Sequence, residues 1–172
     1  MGKENKMKKS KMWALIGAII ASVDAVNGII SSIISHKVAT EAIYQQMQNS
    51  STYSSMTLNS FMQMINIMQV MILIIAFILI AVELLFYWLA YAKIDKKKGR
   101  GWSTFLLVMG IIGLSGVLIS LLGTLSPSTQ RMFAIAPIYI VFFILGMLLA
   151  VGEGVSFIMA YVSKRKEIKE SA

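Results

Sequence analysis

The stretch VMILIIAFILIAVELLFYWLAYA, residues 70–92, decides the fold. It is 23 residues long and carries a single charged residue, Glu83. About 20 consecutive apolar residues in a helix are enough to cross a hydrocarbon core roughly 30 Å thick. A run of this length and apolarity needs a bilayer around it. The stretch therefore predicts a transmembrane helix, and the chain around it predicts an integral membrane protein.

The composition of the whole chain fits this prediction and narrows the possible chemistry. Of its 172 residues, 57% are hydrophobic and 14% are charged, whereas a soluble domain carries roughly 25% charged residues. The chain has no cysteine, which excludes disulfides, thiolate metal sites and cysteine nucleophiles. Its one histidine, His36, excludes a metal cage of several histidines within one chain. We therefore expect no metal and no cofactor.

Three further apolar segments complete a prediction of four transmembrane helices in a single membrane domain, residues 1–172. The predicted spans cover residues 12–34, 70–92, 102–123 and 137–162, with a polar outer segment at 35–60 and a short loop at 125–130 marked by Pro127. The first span could instead be a secretory signal peptide with a cleavage site at residues 23–25. The apolar character resumes after Asn27 and completes a full span, which favours a helix that stays in the membrane. The expected fold class is all-α, an integral membrane four-helix bundle.

The distribution of basic residues predicts the orientation of these helices. Lys and Arg number five in residues 1–11, five in 93–101 and four in 163–172, so 14 of the 16 fall on one side. Cytosolic loops of membrane proteins carry an excess of Lys and Arg. We therefore expect a multi-pass protein of the cell membrane with both termini in the cytosol. Anionic lipid headgroups, rather than nucleic acid, are the expected partner of the basic clusters.

Three acidic residues fall inside the predicted spans: Asp24, Glu83 and Glu153. At 1.5 Å per residue they lie about 20, 15 and 17 Å along their helices from the nearest basic cluster, so all three are near the membrane midplane. No predicted span contains a Lys, Arg or His that could pair with them. Because a charged carboxylate at mid-helix costs on the order of 2.5–3.5 kcal/mol, the three side chains should face the interior of the bundle.

Small and polar neighbours support the same inward orientation. Glycine and alanine recur at helical spacing beside each acid, and small residues let membrane helices approach closely. Asn27 lies one turn from Asp24 and Tyr87 one turn from Glu83, so each is a candidate hydrogen-bond partner. Ser115 accompanies the glycines of the third span. The candidate site, which either binds a proton or cation or holds the bundle together by hydrogen bonds, consists of Asp24, Asn27, Glu83, Tyr87, Ser115 and Glu153.

Two other patterns suggest chemistry that the rest of the sequence does not support. Gly113-Leu114-Ser115-Gly116 resembles the serine nucleophile motif of rhomboid proteases, which also needs a histidine at similar depth. His36, the only histidine, lies too far along the first helix to bond with that serine, so a glycine packing ridge is the better interpretation. Four methionines could offer thioethers to Cu(I), but no Cys or His lies among them; these are Met62, Met64, Met68 and Met71. We expect no catalytic site and no enzyme.

No motif indicates a substrate, so the functional prediction depends on topology. The leading expectation is a small non-enzymatic accessory, regulatory or immunity-type protein that binds another membrane protein, a peptide or a lipid, with residues 35–60 as its outer surface. The alternative is a small oligomeric channel or transporter that conducts protons or cations through the buried carboxylates. In either case another membrane protein or a second copy of the chain is the expected partner. Enrichment in Lys, Ile and Met without Cys is typical of a low-GC bacterium.

Overall fold

The computed structural model describes residues 8–48, 55–96 and 99–171. Across these three ranges the chain forms helices and short turns, with no strand. The elements are α1 (Lys9–Gln48), α2 (Ser55–Lys93), α3 (Gly99–Gly123), α4 (Pro127–Ile135) and α5 (Pro137–Glu170). The predicted all-α class is confirmed.

Four of these helices are long and apolar enough to cross a membrane. The qualifying segments are Lys9–Gln45, Ser60–Lys93, Gly99–Gly123 and Pro137–Glu170. Each contains one of the apolar runs that the sequence analysis interprets as a span. The described part of the chain therefore contains four helices of membrane-spanning length and composition.

The helices extend beyond the predicted spans. α1 continues through much of the predicted outer segment to Gln48, where Val38 and the residues after it include no glycine or proline to end a helix. α5 runs on to Glu170, so most of the basic tail is helical. Lys and Arg in the last turns of a helix interact favourably with its dipole, which supports this extension. Residues 49–54, within the predicted outer segment, lie outside the described residues.

The loop predicted at 125–130 is wrong from residue 127 onward, because α4 begins at Pro127. A proline at the first helical position costs nothing, since that position has no intrahelical N–H bond to lose. Ser126 then caps the helix: the backbone N–H of Thr129 donates to the Ser126 hydroxyl oxygen at 3.3 Å. The proline therefore marks the start of a short helix rather than a break in regular structure.

α5 is the central helix of the bundle, with α1 packed along one side and α3 along the other. α2 packs mainly on α1 and contacts α3 over a shorter length. Glycines set the spacing of these pairs. A Cβ atom added to Gly17 of α1 would overlap the ring of Phe157, and one added to Gly110 of α3 would lie 2.8 Å from the carbonyl oxygen of Gly154. Close packing of α5 therefore depends on small residues in both neighbours.

The fully buried apolar core occupies one half of the bundle. We call this half the turn end, because it carries the turn between α2 and α3 at residues 94–96, and we call the opposite half the far end. The core residues are Ala14, Ala18, Ala21, Tyr87, Ala90, Ile94, Leu106, Phe157 and Ala160. Along α1 this core cluster ends at Ala21, where the first of the cavities described below begins.

Glu167 joins the start of α1 to the end of α5 at the turn end. Its carboxylate accepts hydrogen bonds from the backbone N–H of Ser10 at 3.0 Å and from the Ser10 hydroxyl at 2.8 Å. It also lies 4.0 Å from the Nζ atom of Lys164. Ser10 is fully buried and Lys164 is 7% exposed. The contact places a negative charge on a backbone N–H in the first turn of α1, where the helix dipole favours it.

Replacing Glu167 with Ala should lower the free energy of unfolding by about 2 kcal/mol, because hydrogen bonds to a charged group contribute roughly 1.5–3 kcal/mol and their buried donors would be left unpaired. Thermal unfolding of the purified protein in detergent measures the effect. Glu170→Ala is the matched control, since Glu170 is an exposed carboxylate on the same end of α5. Equal melting temperatures for the two variants would contradict a clamping role for Glu167.

Candidate functional site

The three acids singled out in the sequence line one cavity of about 290 Å³. Asp24 belongs to α1, Glu83 to α2 and Glu153 to α5, so three helices each contribute one carboxyl group. The other lining residues are Ala21, Ala25, Gly28, Ile80, Leu84, Tyr87, Met109, Ile112, Gly113 and Ala150. We call this space the acid cavity. No Lys, Arg or His belongs to its lining, so no cationic side chain there balances the carboxyl groups.

Helical spacing brings each carboxyl group to the cavity. Asp24 lies between Ala21 and Gly28 on the same face of α1, three and four residues away. Glu153 lies three residues after Ala150 and four before Phe157 on α5. The small residues leave space beside each acid, and Tyr87, which lines the cavity and packs on Phe157, lies toward the turn end. The cavity is thus bounded on that side by the buried core.

Tyr87 connects the acids of α2 and α5. Its hydroxyl donates a hydrogen bond to Oε1 of Glu83 at 2.5 Å, which is the predicted pairing of these two residues. Glu153 lines the same cavity as Tyr87. Tyr87 is 2% exposed, and its ring centroid lies 4.7 Å from that of Phe157. A phenol donates its one O–H proton and accepts hydrogen bonds on its oxygen. It can therefore donate to a carboxylate and at the same time accept from a protonated carboxyl group.

Asn27 binds the backbone of α5 rather than Asp24. Its Nδ2 donates to the carbonyl oxygen of Phe142 at 3.1 Å. Its Oδ1 is buried and accepts no hydrogen bond from any described residue. A Cβ atom added to Gly146 would lie 2.9 Å from the Asn27 amide nitrogen and 3.7 Å from Oδ1 of Asp24, so both side chains lie against this glycine. The residue is 7% exposed, which makes its unpaired oxygen energetically costly.

Ser115 is not brought to the site with the other predicted residues. It is exposed, and its hydroxyl donates to the carbonyl oxygen of Ile111 in its own helix at 2.9 Å. Serine in a helix often bonds to the carbonyl four residues back in this way. Gly113, two residues earlier, faces the acid cavity, and two residues correspond to about 200° around a helix. The structure therefore assigns Ser115 to the outer surface of α3.

A second cavity of about 410 Å³ continues from Asp24 toward the far end between α1, α3 and α5. It shares Asp24, Gly28, Gly113 and Ala150 with the acid cavity. Its remaining lining residues are Asn27, Ser31, Ser32, Gly116, Val117, Ser120, Phe142, Phe143, Gly146 and Met147. We call this space the far vestibule.

The serines of the far vestibule are polar residues that the sequence analysis missed. A signal for two of them was present, because Ser31 and Ser32 follow Asn27 and Gly28 at a spacing of one turn on α1. Ser120 of α3 had no comparable signal, since its position opposite α1 depends on how the helices pack. The three hydroxyl groups extend the polar lining from the acid level toward the far end.

The spacing of the acids limits the kind of ion that the cavity can hold. In the described part of the chain, no three His, Asp or Glu side chains come close enough together to form a metal site. Calcium requires six to eight oxygen ligands, often including several carboxylates, and magnesium near-ideal octahedral geometry. The arrangement suits a proton or a monovalent cation, which needs fewer ligands from the protein.

Comparison with known proteins gives no additional guide to this site. No protein-family model, no curated protein and no solved structure matches the chain. The function proposed below therefore depends on the cavity residues and their surroundings.

Proposed function

We propose that this protein is an integral membrane protein of four transmembrane helices that binds and moves a proton or a small monovalent cation through the acid cavity. The observation that carries the proposal is the convergence of carboxyl groups from three helices on one cavity with a buried tyrosine. Ionisable residues within membrane segments are costly and commonly mark ion or proton paths. Catalysis and a bound cofactor form no part of the proposal.

The proposed orientation places the turn end, with both termini, at the cytosolic side of the cell membrane. Aromatic rings at this end lie beside basic side chains: the Nζ atom of Lys93 is 5.4 Å from the ring centroid of Trp102, and Arg165 is at the same distance from Tyr161. Aromatic and basic residues share the membrane interface in this way, and basic residues are in excess on the cytosolic side. Anionic headgroups are the proposed partners of these basic residues.

Tyr87 offers a path for a proton between two of the acids. When Glu153 is protonated and Glu83 is ionised, the acid proton can move to the phenol oxygen while the phenol proton moves to Glu83. The O–H bond of Glu153 breaks, an O–H bond forms on Glu83, and Tyr87 ends as a neutral phenol. The hydrogen bond from Tyr87 to Glu83 already has the direction that the second transfer needs.

Ion flux in reconstituted liposomes tests the proposal. Separate vesicles would contain a pH-sensitive, a sodium-sensitive or a potassium-sensitive dye, and each would be given an inward and then an outward gradient of its ion. We expect protein-dependent flux of protons or of one monovalent cation above the rate in empty vesicles. The absence of protein-dependent flux for all three ions and both gradient directions would overturn the proposal.

A second candidate function, an accessory protein that binds a membrane protein, a peptide or a lipid, is favoured by one separate observation. α1 and α2 continue past the predicted spans at the far end, where the Thr40 hydroxyl donates to Oε1 of Gln69 at 3.1 Å. Tyr44 is 38% exposed on this extension and offers an aromatic contact.

Crosslinking from Tyr44 in native membranes tests this second function. It should recover one specific partner, either another molecule or a second copy of the chain. Recovery of none, with a wild-type phenotype after deletion of residues 40–57, would contradict this function.

A further inference from the structure

We infer that the far vestibule is the aqueous entrance to the acid cavity, and that Asn27 offers its Oδ1 atom to a small monovalent cation entering from the far end. The inference rests on the proposed function, because it assigns an entrance and a positioning residue to the same site. It adds a direction: the vestibule continues from Asp24 toward the far end, whereas the buried core lies on the turn-end side of the acids.

The closure at the turn end is a layer of fully buried side chains. Phe157 and Leu106 are 0% exposed, and Tyr87 is 2% exposed. The ring of Phe157 fills the position where Gly17 of α1 has no side chain. These buried residues lie between the acids and the basic end of the bundle.

The opening toward the far end is lined by groups that favour water. Beyond Asp24 the vestibule carries the Asn27 amide and the hydroxyl groups of Ser31, Ser32 and Ser120. A neighbouring groove of about 540 Å³ includes Asn27 and Ser22 in its lining, but its other lining residues, such as Val26 and Leu145, are mostly apolar, as expected of a lipid-facing surface. The contrast in lining makes the vestibule the polar route to the acids.

The second, independent observation is the unpaired oxygen of Asn27. A buried amide oxygen without a hydrogen bond is destabilising, so such groups are uncommon in folded proteins unless a water or an ion binds them. Asn27 lines the vestibule one turn from Asp24, and the bond from its Nδ2 to Phe142 fixes which end of the amide is the acceptor. A carbonyl oxygen beside a carboxylate is a typical ligand pair for a hard cation.

Cysteine accessibility tests the entrance, and the chain suits it because it contains no cysteine of its own. The full-length protein in right-side-out vesicles would carry Ser120→Cys in the vestibule or Ile119→Cys as the matched control. Ile119 is the adjacent residue on α3, is 69% exposed, and does not line either cavity. Both variants would be treated with a membrane-impermeant, water-soluble thiol reagent added from the far-end side.

We expect Ser120→Cys to react at least about tenfold faster than Ile119→Cys, because the thiolate is the reactive form and requires water around it. A third variant, Ala160→Cys in the turn-end core, should stay unreactive from both sides. Equal rates at 119 and 120 would show that lipid fills the vestibule and would overturn the inference. Faster reaction of Ser120→Cys from the turn-end side would overturn it as well.

The role of Asn27 has its own readout. Asn27→Leu should reduce flux of protons or Na⁺ while leaving the reaction rate of Ser120→Cys unchanged, since the entrance stays open but its cation ligand is gone. Asn27→Asp, which keeps an oxygen at this position, should retain flux. Flux in Asn27→Leu equal to wild type would remove Asn27 from the path. Cysteine labelling shows whether water reaches the vestibule and does not depend on ion transport. If Ser120→Cys is labelled as expected but no ion flux is measured, the proposed function is rejected and the aqueous entrance is retained.

Discussion

Replacing Glu153 with Gln should reduce protein-dependent ion flux to the level of empty vesicles. The substitution keeps the shape of the side chain and removes its ability to exchange a proton or to balance a cation. Glu153 lines the same cavity as Glu83 and Tyr87, whose hydroxyl bonds Glu83, so its loss leaves a single acid beside this phenol. Initial rates of dye response in liposomes at equal protein density measure the effect.

Two further substitutions make this result specific. Glu83→Gln should have the same consequence, because both carboxyl groups line the same cavity. Glu41→Gln should leave the flux unchanged, since Glu41 is exposed on the far-end extension of α1. Wild-type flux in both Glu153→Gln and Glu83→Gln would show that the acids only hold the bundle together. Reduced flux in Glu41→Gln as well would indicate a general loss of folded protein.

Replacing Phe157 with Ala should give the largest loss of stability, about 3 kcal/mol, because deletion of a fully buried aromatic ring leaves a cavity that the neighbouring helices fill only in part. The ring occupies the space beside Gly17 and lies 4.7 Å from the ring of Tyr87. The estimate is at the lower end for aromatic deletions, since membrane helices gain packing but little hydrophobic burial when they associate. Unfolding in an SDS titration, followed by tryptophan fluorescence, measures the change.

Phe77→Ala is the control for this loss. Phe77 is 59% exposed on α2 and lies away from the turn-end core. Its truncation should change the unfolding free energy by no more than about 0.5 kcal/mol, as is usual for surface substitutions. A similar loss in both variants would mean that aromatic residues stabilise this protein regardless of position, and the turn-end core would lose its special role.

The helical class and the four apolar spans could be predicted from residue patterns. The prediction that all three acids face the interior of the bundle does not hold for Glu83, which lines the acid cavity but is exposed. Apolar length indicates a span because it reflects the thickness of the bilayer. The position of Glu83 relative to Tyr87 followed from one turn of helix, and their hydrogen bond is present. These features depend on the length of apolar runs and on the spacing of residues along a helix, both of which can be read from the sequence.

The features that the sequence could not provide depend on how helices meet. The bond from Asn27 to Phe142 joins residues 115 positions apart in the chain, and periodicity gives no information on such a pair. Ser120 lines the vestibule because α3 packs along α5 opposite α1. The glycine neighbours of Ser115 favour a place in the site, yet its hydroxyl bonds the carbonyl oxygen of Ile111 in its own helix and lines neither cavity.

The start of α4 was missed for a different reason. Pro127 is compatible with a loop and equally with the first turn of a helix. The residue that decides between them is Ser126, whose hydroxyl accepts the hydrogen bond from the Thr129 backbone. Serine before proline is common in both settings, so the choice depends on the packing of α4 against α5 and α1.

Infrared difference spectroscopy of the carboxyl groups tests the central claim most directly, because it reports whether the acids of the cavity bind protons or cations without requiring transport. The protein in lipid would be compared with and without Na⁺, and at stepped pH, in wild type and in Glu153→Gln. We predict a change in the carboxyl C=O absorption of wild type on one of these additions, and loss of that change in the variant. A wild-type spectrum that neither Na⁺ nor pH alters, or an identical change in Glu153→Gln, would contradict it.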